Sequence, residues 1–372
     1  MGFWRTHRLF RGAVCAIGQR WSTSNLTWIV LDVQVGASSV HSGSTIAEKK
    51  HQKDLQKLPI MNEMLQQYLG LSEHERLSFY WESQGMGKTL APELADFQHT
   101  CAKMFRSTFN PGNSGNAAFL LPEAPSEYEA MKRNSPGSRE FAHGYQAPEA
   151  FRGRFIVCTA TQQPLGIAEY DPRRLIGVNQ VSEDGKSYVS LWGAPRATSE
   201  IFCHIEQMAQ TQLPASGHGH LAELSATMQG EGTRVDLASL NDSLACFLEV
   251  DYLKQYGYLE EAVPGNPTFG RQLGAEAKRV KQPEGFAVVV WGTHGFSVAA
   301  NSPLMMWSKM EEVRRQFQVT HAAQAAFGGI EAVRPETIRG LVEVFGIPFQ
   351  KEQLDVILSS SQAGAFSWKS ED

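Results

Sequence analysis

The sequence predicts an α/β or α+β domain in which helices and strands mix without strict alternation. Three observations carry this. Short apolar runs bounded by turn residues, such as "GRFIVCTAT" and "SYVSLWG", have the length and β-branched content of buried strands. Longer stretches, such as "SPLMMWSKMEEVRRQFQVTHAAQAAF", repeat apolar residues at helical spacing. A chain of 372 residues with 42% hydrophobic content can bury a sizeable core, as one large domain with extensions or as two domains.

Taken in order, the chain opens on "MGFWRTHRLFRGAVCAIGQRWSTSN", with Arg5, Arg8, Arg11 and Arg20 set between apolar residues. Its first acidic residue is Asp32. An Arg-rich, acid-free start of this kind is expected to be a mitochondrial transit peptide over residues 1–25, delivering the protein to the matrix. A basic tail is the plainer alternative. Residues 26–90 read as an N-terminal extension with a helical pattern in "LPIMNEMLQQYLGL". It contains "SQGMGKTL", which is not a phosphate-binding P-loop: that motif needs glycine five residues before Gly87, and Glu82 stands there.

The principal domain is expected over residues 91–330. A helix around "ELADFQHTCAKMFRST" leads into the turn cluster "NPGNSGN" and the apolar "AAFLL". Residues 122–150, rich in Pro, Gly and Ser, read as an inserted loop. The strand "GRFIVCTAT" and the strand "SYVSLWG" come next. Then "TSEIFCHIEQMAQTQ" forms a helix with Thr198 or Ser199 as its N-cap. "GFAVVVWGTHGFSVAA" is a strand, a turn and a strand, followed by the long amphipathic helix. Residues 331–372 read as a C-terminal helical segment.

Composition excludes several partners. A net charge of -5 gives no electrostatic footprint for nucleic acid. No stretch reaches the roughly 18 apolar residues that span a bilayer, so no membrane partner is expected. Five cysteines without a C-x-x-C spacing argue against a disulfide framework and against a thiolate zinc site.

The chemistry-bearing residues lie in three places. His218 and His220 flank a single glycine in "PASGHGHLAEL". In extended chain, residues i and i+2 point the same way, so both imidazoles can face one ion. Glu200 opens a helix, where the dipole favours an ionised carboxylate. His294 ends a very apolar strand beside Gly292 and Gly295. Three imidazoles and one carboxylate can make a zinc site with a position left for substrate. Each residue alone also has an ordinary explanation: a turn histidine, a helix-terminus charge, a strand-end residue.

In their order and spacing these residues resemble the class II aldolase/adducin family, which includes zinc-dependent sugar-phosphate aldolases. "NPGNSGN" resembles the family's Gly-Asn turn at Gly115 and Asn116. "TSEIFCH" resembles its Ser-Ser-Glu-x-x-x-His helix start, with His204 at the histidine. "HGH" and "THG" resemble its His-x-His and later Asn-His-Gly. The likeness runs from about residue 92 to 330.

The resemblance implies a central, mostly antiparallel sheet flanked by helices, assembled as a homotetramer. It implies Zn2+, or a similar divalent metal, on Glu200, His218, His220 and His294. It implies a phosphorylated sugar substrate whose phosphate is held by Asn116, Thr161, Thr198 and Ser199, a helix N-terminus being an anion site. Gln162 stands where the family has glycine after that threonine.

The expected reaction is that of an aldolase-type lyase, in which zinc stabilises an enediolate and Glu200 is the general base. The aldolases place a tyrosine about 20 residues after the His-x-His, but "DLASLNDSLACF" offers Asp242 and no tyrosine before Tyr252. Asp242 is therefore the second catalytic candidate, as in the family's epimerases and dehydratases. Its ordinary alternative is a capping aspartate. The competing functional reading is a non-catalytic, adducin-like scaffold that keeps the fold.

Overall fold

A computed structural model of the chain describes residues 70–107, 114–220, 257–259, 265–291, 294–327 and 343. They fall in two compact units, one holding residues up to His99 with returns at 125–127 and 169–172, the other holding the rest. The first unit carries helix α1 (Glu73–Ser83), opened by a capping box in which Ser72 and Glu75 satisfy each other's backbone amides. Its Trp81 is fully buried and donates from Nε1 to Gln98 Oε1 at 2.8 Å. Gln98 belongs to helix α2 (Leu90–Arg106). The turn between these helices, residues 84–89, holds "QGMGKT" and no strand leads into it.

The second unit is a sheet of nine described strands. They are β1 (Asn116–Leu120), β2 (Gly137–Glu140), β3 (Phe155–Thr159), β4 (Ile176–Val181), β5 (Ser187–Gly193), β6 (Ala215–Gly219), β7 (Gly257–Leu259), β8 (Phe286–Trp291) and β9 (Gly295–Ala300). Their order across the sheet is β2-β5-β4-β3-β1-β6-β9-β8-β7. All neighbours are antiparallel except β7 and β8. The mostly antiparallel sheet expected from the sequence is thus present.

One face of the sheet is covered by helix α4 (Ile201–Thr211) and helix α5 (Pro267–Val280). Phe202, Ile205, Phe269 and Leu273 join Ala118, Ile156, Val289 and Trp291 in one buried cluster. On the other face Met306 and Met310 of helix α6 (Pro303–Phe327) press against Gly217 and Gly219 of β6. Among the described residues no helix is long and apolar enough to cross a membrane.

Two helical details follow from local chemistry. Helix α5 begins at Asn266, whose side chain accepts from the Thr268 amide at 2.9 Å, with Pro267 at the first helical position. It approaches α4 closely because Gly274 has no side chain: a Cβ there would lie 2.7 Å from the Glu206 carbonyl oxygen and 2.9 Å from Gln210 Cγ. Gly274→Val is therefore expected to destabilise the fold by about 1–3 kcal/mol, the usual cost of overpacking. A urea midpoint equal to or above that of the unmutated protein would show that the two helices are not in such close contact.

Two expectations require correction. Residues 122–150 are not a loop: they contain helix α3 (Tyr128–Arg133), strand β2 at the sheet edge, and the buried side chains of Phe141 and Tyr145. Their Pro, Gly and Ser mark the turns between short elements, and the alternating exposure of β2 is that of an edge strand. The N-cap of α4 is Glu200, not Thr198 or Ser199. Residues 1–69 and 331–342, 344–372, with the expected transit peptide and most of the C-terminal segment, lie outside the described residues.

Candidate metal centre

Three neighbouring strands deliver the centre. Asn116 on β1 lies opposite His218 on β6, which lies opposite Ser297 on β9. Residues paired across antiparallel strands point to one face, so these three share the face that α4 covers. Ser216, two residues before His218 on β6, points the same way. His220 follows the strand end, and its ring lies 4.7 Å from that of His218. His294 sits in the turn between β8 and β9, where its amide donates to the Trp291 carbonyl at 3.2 Å. That turn is tight: a Cβ on Gly295 would strike the Gly219 carbonyl oxygen and lie 3.0 Å from His218 Cε1.

The result is a convergence of imidazoles. One nitrogen from each of His218, His220 and His294 lies within 4.8 Å of the other two. The Nδ1 of His218 is 3.0 Å from the Phe296 carbonyl, to which it can only donate, so its Nε2 carries a lone pair. The Nε2 atoms of His218 and His294 are buried and make no hydrogen bond. Buried ring nitrogens without partners are rare in folded proteins, and a cation bound among them would use both. Trp291 stacks on His218 at 4.0 Å and 15°, fixing the plane of that ring. The donor set therefore fits a divalent metal of the zinc type.

Glu200 completes the ring of groups. Its carboxylate oxygens lie 3.8 Å from His218 Nε2 and 3.8 Å from His294 Nε2. As the N-cap of α4 it makes no side-chain cap bond, and its side chain turns to the imidazoles. Asn116 Nδ2 donates to Glu200 Oε2 at 2.9 Å, and Thr198 Oγ1 accepts from the Glu200 amide at 3.3 Å. Burial pushes the carboxyl upward, but the imidazoles of His218 and His294 and the Asn116 amide outweigh it and hold it well below the usual carboxylate range. Glu200 is ionised at neutral pH.

Burial acts on the histidines in the opposite sense. It pushes His218 down to about 3 and His204 down to about 4, with Glu200 opposing it in both, and it lowers His220 as well. All three are neutral at pH 7, which leaves His218 and His220 able to bind metal. In the metal-free protein, His204 and His218 refuse protons that the unfolded chain accepts below about pH 6.5. Stability is therefore whole above that pH and lost as pH falls toward 4, by about 1.4 kcal/mol per pH unit for each group. Denaturant midpoints of chelator-treated protein across pH 7.5–4.5 measure this, and a flat profile would contradict buried neutral imidazoles.

The expected phosphate ligands divide. The Thr161 amide donates to the Arg196 carbonyl at 3.4 Å and the Thr198 amide to the Thr159 carbonyl at 2.8 Å, so the loops of Thr161, Thr198 and Ser199 run side by side. Gln162 adopts a left-handed φ of 59°, the conformation a glycine would take without strain. Asn116 points elsewhere, its amide bridging Glu200 and His204. Ser199 is exposed. Asp242, Tyr252 and Tyr256 lie outside the described residues, and Tyr258 is an exposed residue of β7.

Residues that sequence reading did not assign a role stand behind the centre. His204 Nε2 lies 2.6 Å from Asn116 Oδ1, and His204 Nδ1 lies 2.8 Å from Ser216 Oγ. Gln207 contacts Ser216 at 2.6 Å and Ser297 at 2.9 Å, and Trp291 Nε1 donates to Ser297 Oγ at 3.1 Å. The signal for them was polarity at helical spacing: His204 and Gln207 sit three apart on the buried face of α4.

The chain shares its fold with a solved sugar-phosphate aldolase, and its sequence relatives carry the name rhamnulose-1-phosphate aldolase. The rhamnulose-1-phosphate aldolase of Listeria innocua is 24% identical over 264 residues, covering 68% of this chain and 93% of that protein. A rhamnulose-1-phosphate aldolase of Listeria monocytogenes matches to the same extent. Among solved structures, a sugar-phosphate aldolase from Thermotoga maritima superposes with a TM-score of 0.52 at 18% identity, covering 64% of this chain and 97% of that one. No family model matches the chain.

Proposed function

We propose that the protein is a metal-dependent aldolase-type lyase that cleaves a phosphorylated ketose. The observation that carries this reading is the pair of buried, unbonded Nε2 atoms of His218 and His294 facing an ionised Glu200. His218, His220 and His294 would hold Zn2+ or a similar divalent ion, with Glu200 beside them. When bound, the ion supplies fixed positive charge for the oxygen anion that develops next to the breaking carbon–carbon bond. The names of the Listeria relatives support a sugar phosphate as substrate.

The chain's own groups do the remaining work. Glu200, ionised and held by Asn116, accepts the proton that the substrate releases when the enediolate forms, and returns it on protonation of the product. The Thr198 backbone carbonyl accepts from Ile201 while Ser199 stays exposed, leaving the start of α4 as the place where an anionic phosphate meets a helix N-terminus. Thr161, on the adjacent loop, is the second phosphate contact. Asp242 is the proposed proton donor to the aldehyde oxygen when the reaction runs in the direction of carbon–carbon bond formation. The family likeness supports a homotetramer.

The test combines metal analysis with a screen. Purified protein is expected to hold about one divalent ion per chain and to release dihydroxyacetone phosphate from one member of a set of ketose 1-phosphates. Metal-free protein with no cleavage and no C–H deuterium exchange on any of them would overturn the reading and favour a scaffold.

A further inference from the structure

Behind the metal centre, seven polar side chains touch in sequence: Trp291, Ser297, Gln207, Ser216, His204, Asn116 and Glu200. The two ends have fixed roles. An indole N–H can only donate, and an ionised carboxylate can only accept. Everything between can do either. The direction of the chain is therefore a problem with few solutions.

Starting from Glu200, each link forces the next. Asn116 must present Nδ2 to the carboxylate, at 2.9 Å, so its Oδ1 faces His204 Nε2 at 2.6 Å. His204 Nε2 must then donate. The ring is buried and touches no carboxylate directly, and an uncharged imidazole has one N–H, so Nδ1 must accept from Ser216 Oγ at 2.8 Å. Ser216 has spent its proton and must accept from Gln207. If the Gln207 amide turned its oxygen to Ser216, that hydroxyl would donate to it, and His204 would need protons on both nitrogens. The structure places the Gln207 oxygen 2.6 Å from Ser216 Oγ and its nitrogen 2.9 Å from Ser297 Oγ, which raises that conflict; exchanging the two like-shaped ends of the amide, nitrogen to Ser216 and oxygen to Ser297, removes it. Ser297 donates to that oxygen and is left to accept at 3.1 Å. Its remaining neighbour is Trp291 Nε1, which can only donate. The last link closes without having been assumed.

We infer that His204, Ser216, Gln207 and Ser297 are positioning residues: a one-directional hydrogen-bond chain, with His204 uncharged and protonated on Nε2, that locks Asn116 against Glu200. Its catalytic consequence rests on the proposed role of Glu200 as base. The chain presents the Asn116 amide N–H, never its oxygen, to Glu200 Oε2. It thereby keeps the carboxylate aimed, and leaves Oε1 toward His294. The chain also begins at the indole that stacks on His218, so the orientation of a metal ligand and that of the base share one scaffold.

Ring 15N spectra of histidine-labelled, zinc-loaded full-length protein decide the tautomer without any variant or substrate. His204, assigned through couplings to its own backbone, is expected as the neutral Nε2–H form. A neutral Nδ1–H form or an imidazolium at pH 7.5 would overturn the chain. Gln207→Met keeps the volume and removes both polar ends. It is expected to lower kcat about 10–100-fold, as loss of a supporting contact does, with zinc content unchanged and KM within about twofold. Unchanged kcat would overturn the positioning role. If the unmutated protein cleaves no ketose phosphate, the proposed activity fails, while the ring spectra still decide the chain.

Discussion

Glu200→Gln is expected to fold, keep its metal and lose turnover by about 10²–10⁴-fold, the range for removing a general base. The amide has the carboxylate's shape, and its oxygen can still accept from Asn116 Nδ2. It cannot accept a proton from substrate. Because the imidazoles and the Asn116 amide favour the ionised carboxylate in the folded protein, removing its charge is expected to lower the stability of the metal-free fold. Metal content, thermal midpoint with and without chelator, and single-turnover cleavage separate these effects. Normal turnover in the variant would make Glu200 a structural residue and remove the proposed base.

The second large effect belongs to His218→Ala. This ring is fully buried, stacks on Trp291 and bonds the Phe296 carbonyl. Its loss leaves a cavity and an unpaired carbonyl, together expected to cost about 3 kcal/mol in the metal-free state. A further contribution disappears with the metal, about 2.7 kcal/mol at a free metal concentration 100 times its Kd. The variant is therefore expected to melt well below the unmutated protein and to be insensitive to chelator. A chelator-dependent midpoint retained in His218→Ala would place the metal elsewhere.

Much of this was legible in the sequence. Strands such as "FIVCT" and "FAVVVW" are apolar at every position because both faces are covered, and such runs stand out. The histidines were legible as a set because the i, i+2 spacing of His218 and His220 has a geometric meaning. Strand β4 was not: "IGVNQV" contains buried Asn179, which bonds Cys158 Sγ and the Gly177 carbonyl, and nothing in the sequence shows that the amide is satisfied. Helix α5 was not legible either, because the two glycines and two alanines of Phe269–Ala277 look like weak helix, whereas small residues there permit close packing on α4. The support behind Glu200 joins residues up to 181 positions apart, from Asn116 to Ser297, and only the register of β1, β6 and β9 brings them together.

Among the described residues the sheet ends, on both sides, in very little. Strand β2 offers four residues and β7 three, and in β2 the Arg139 guanidinium Nε donates to the Pro195 carbonyl at 2.7 Å, holding a charge across the rim. A neighbouring polypeptide adding itself there would gain few backbone hydrogen bonds and would meet a cation. Growth of the sheet from molecule to molecule is thereby discouraged at the β2 border. Copies of this chain that meet at that border would do so through side-chain surfaces, which can be specific and finite, and not by the open-ended strand addition that leads to fibres.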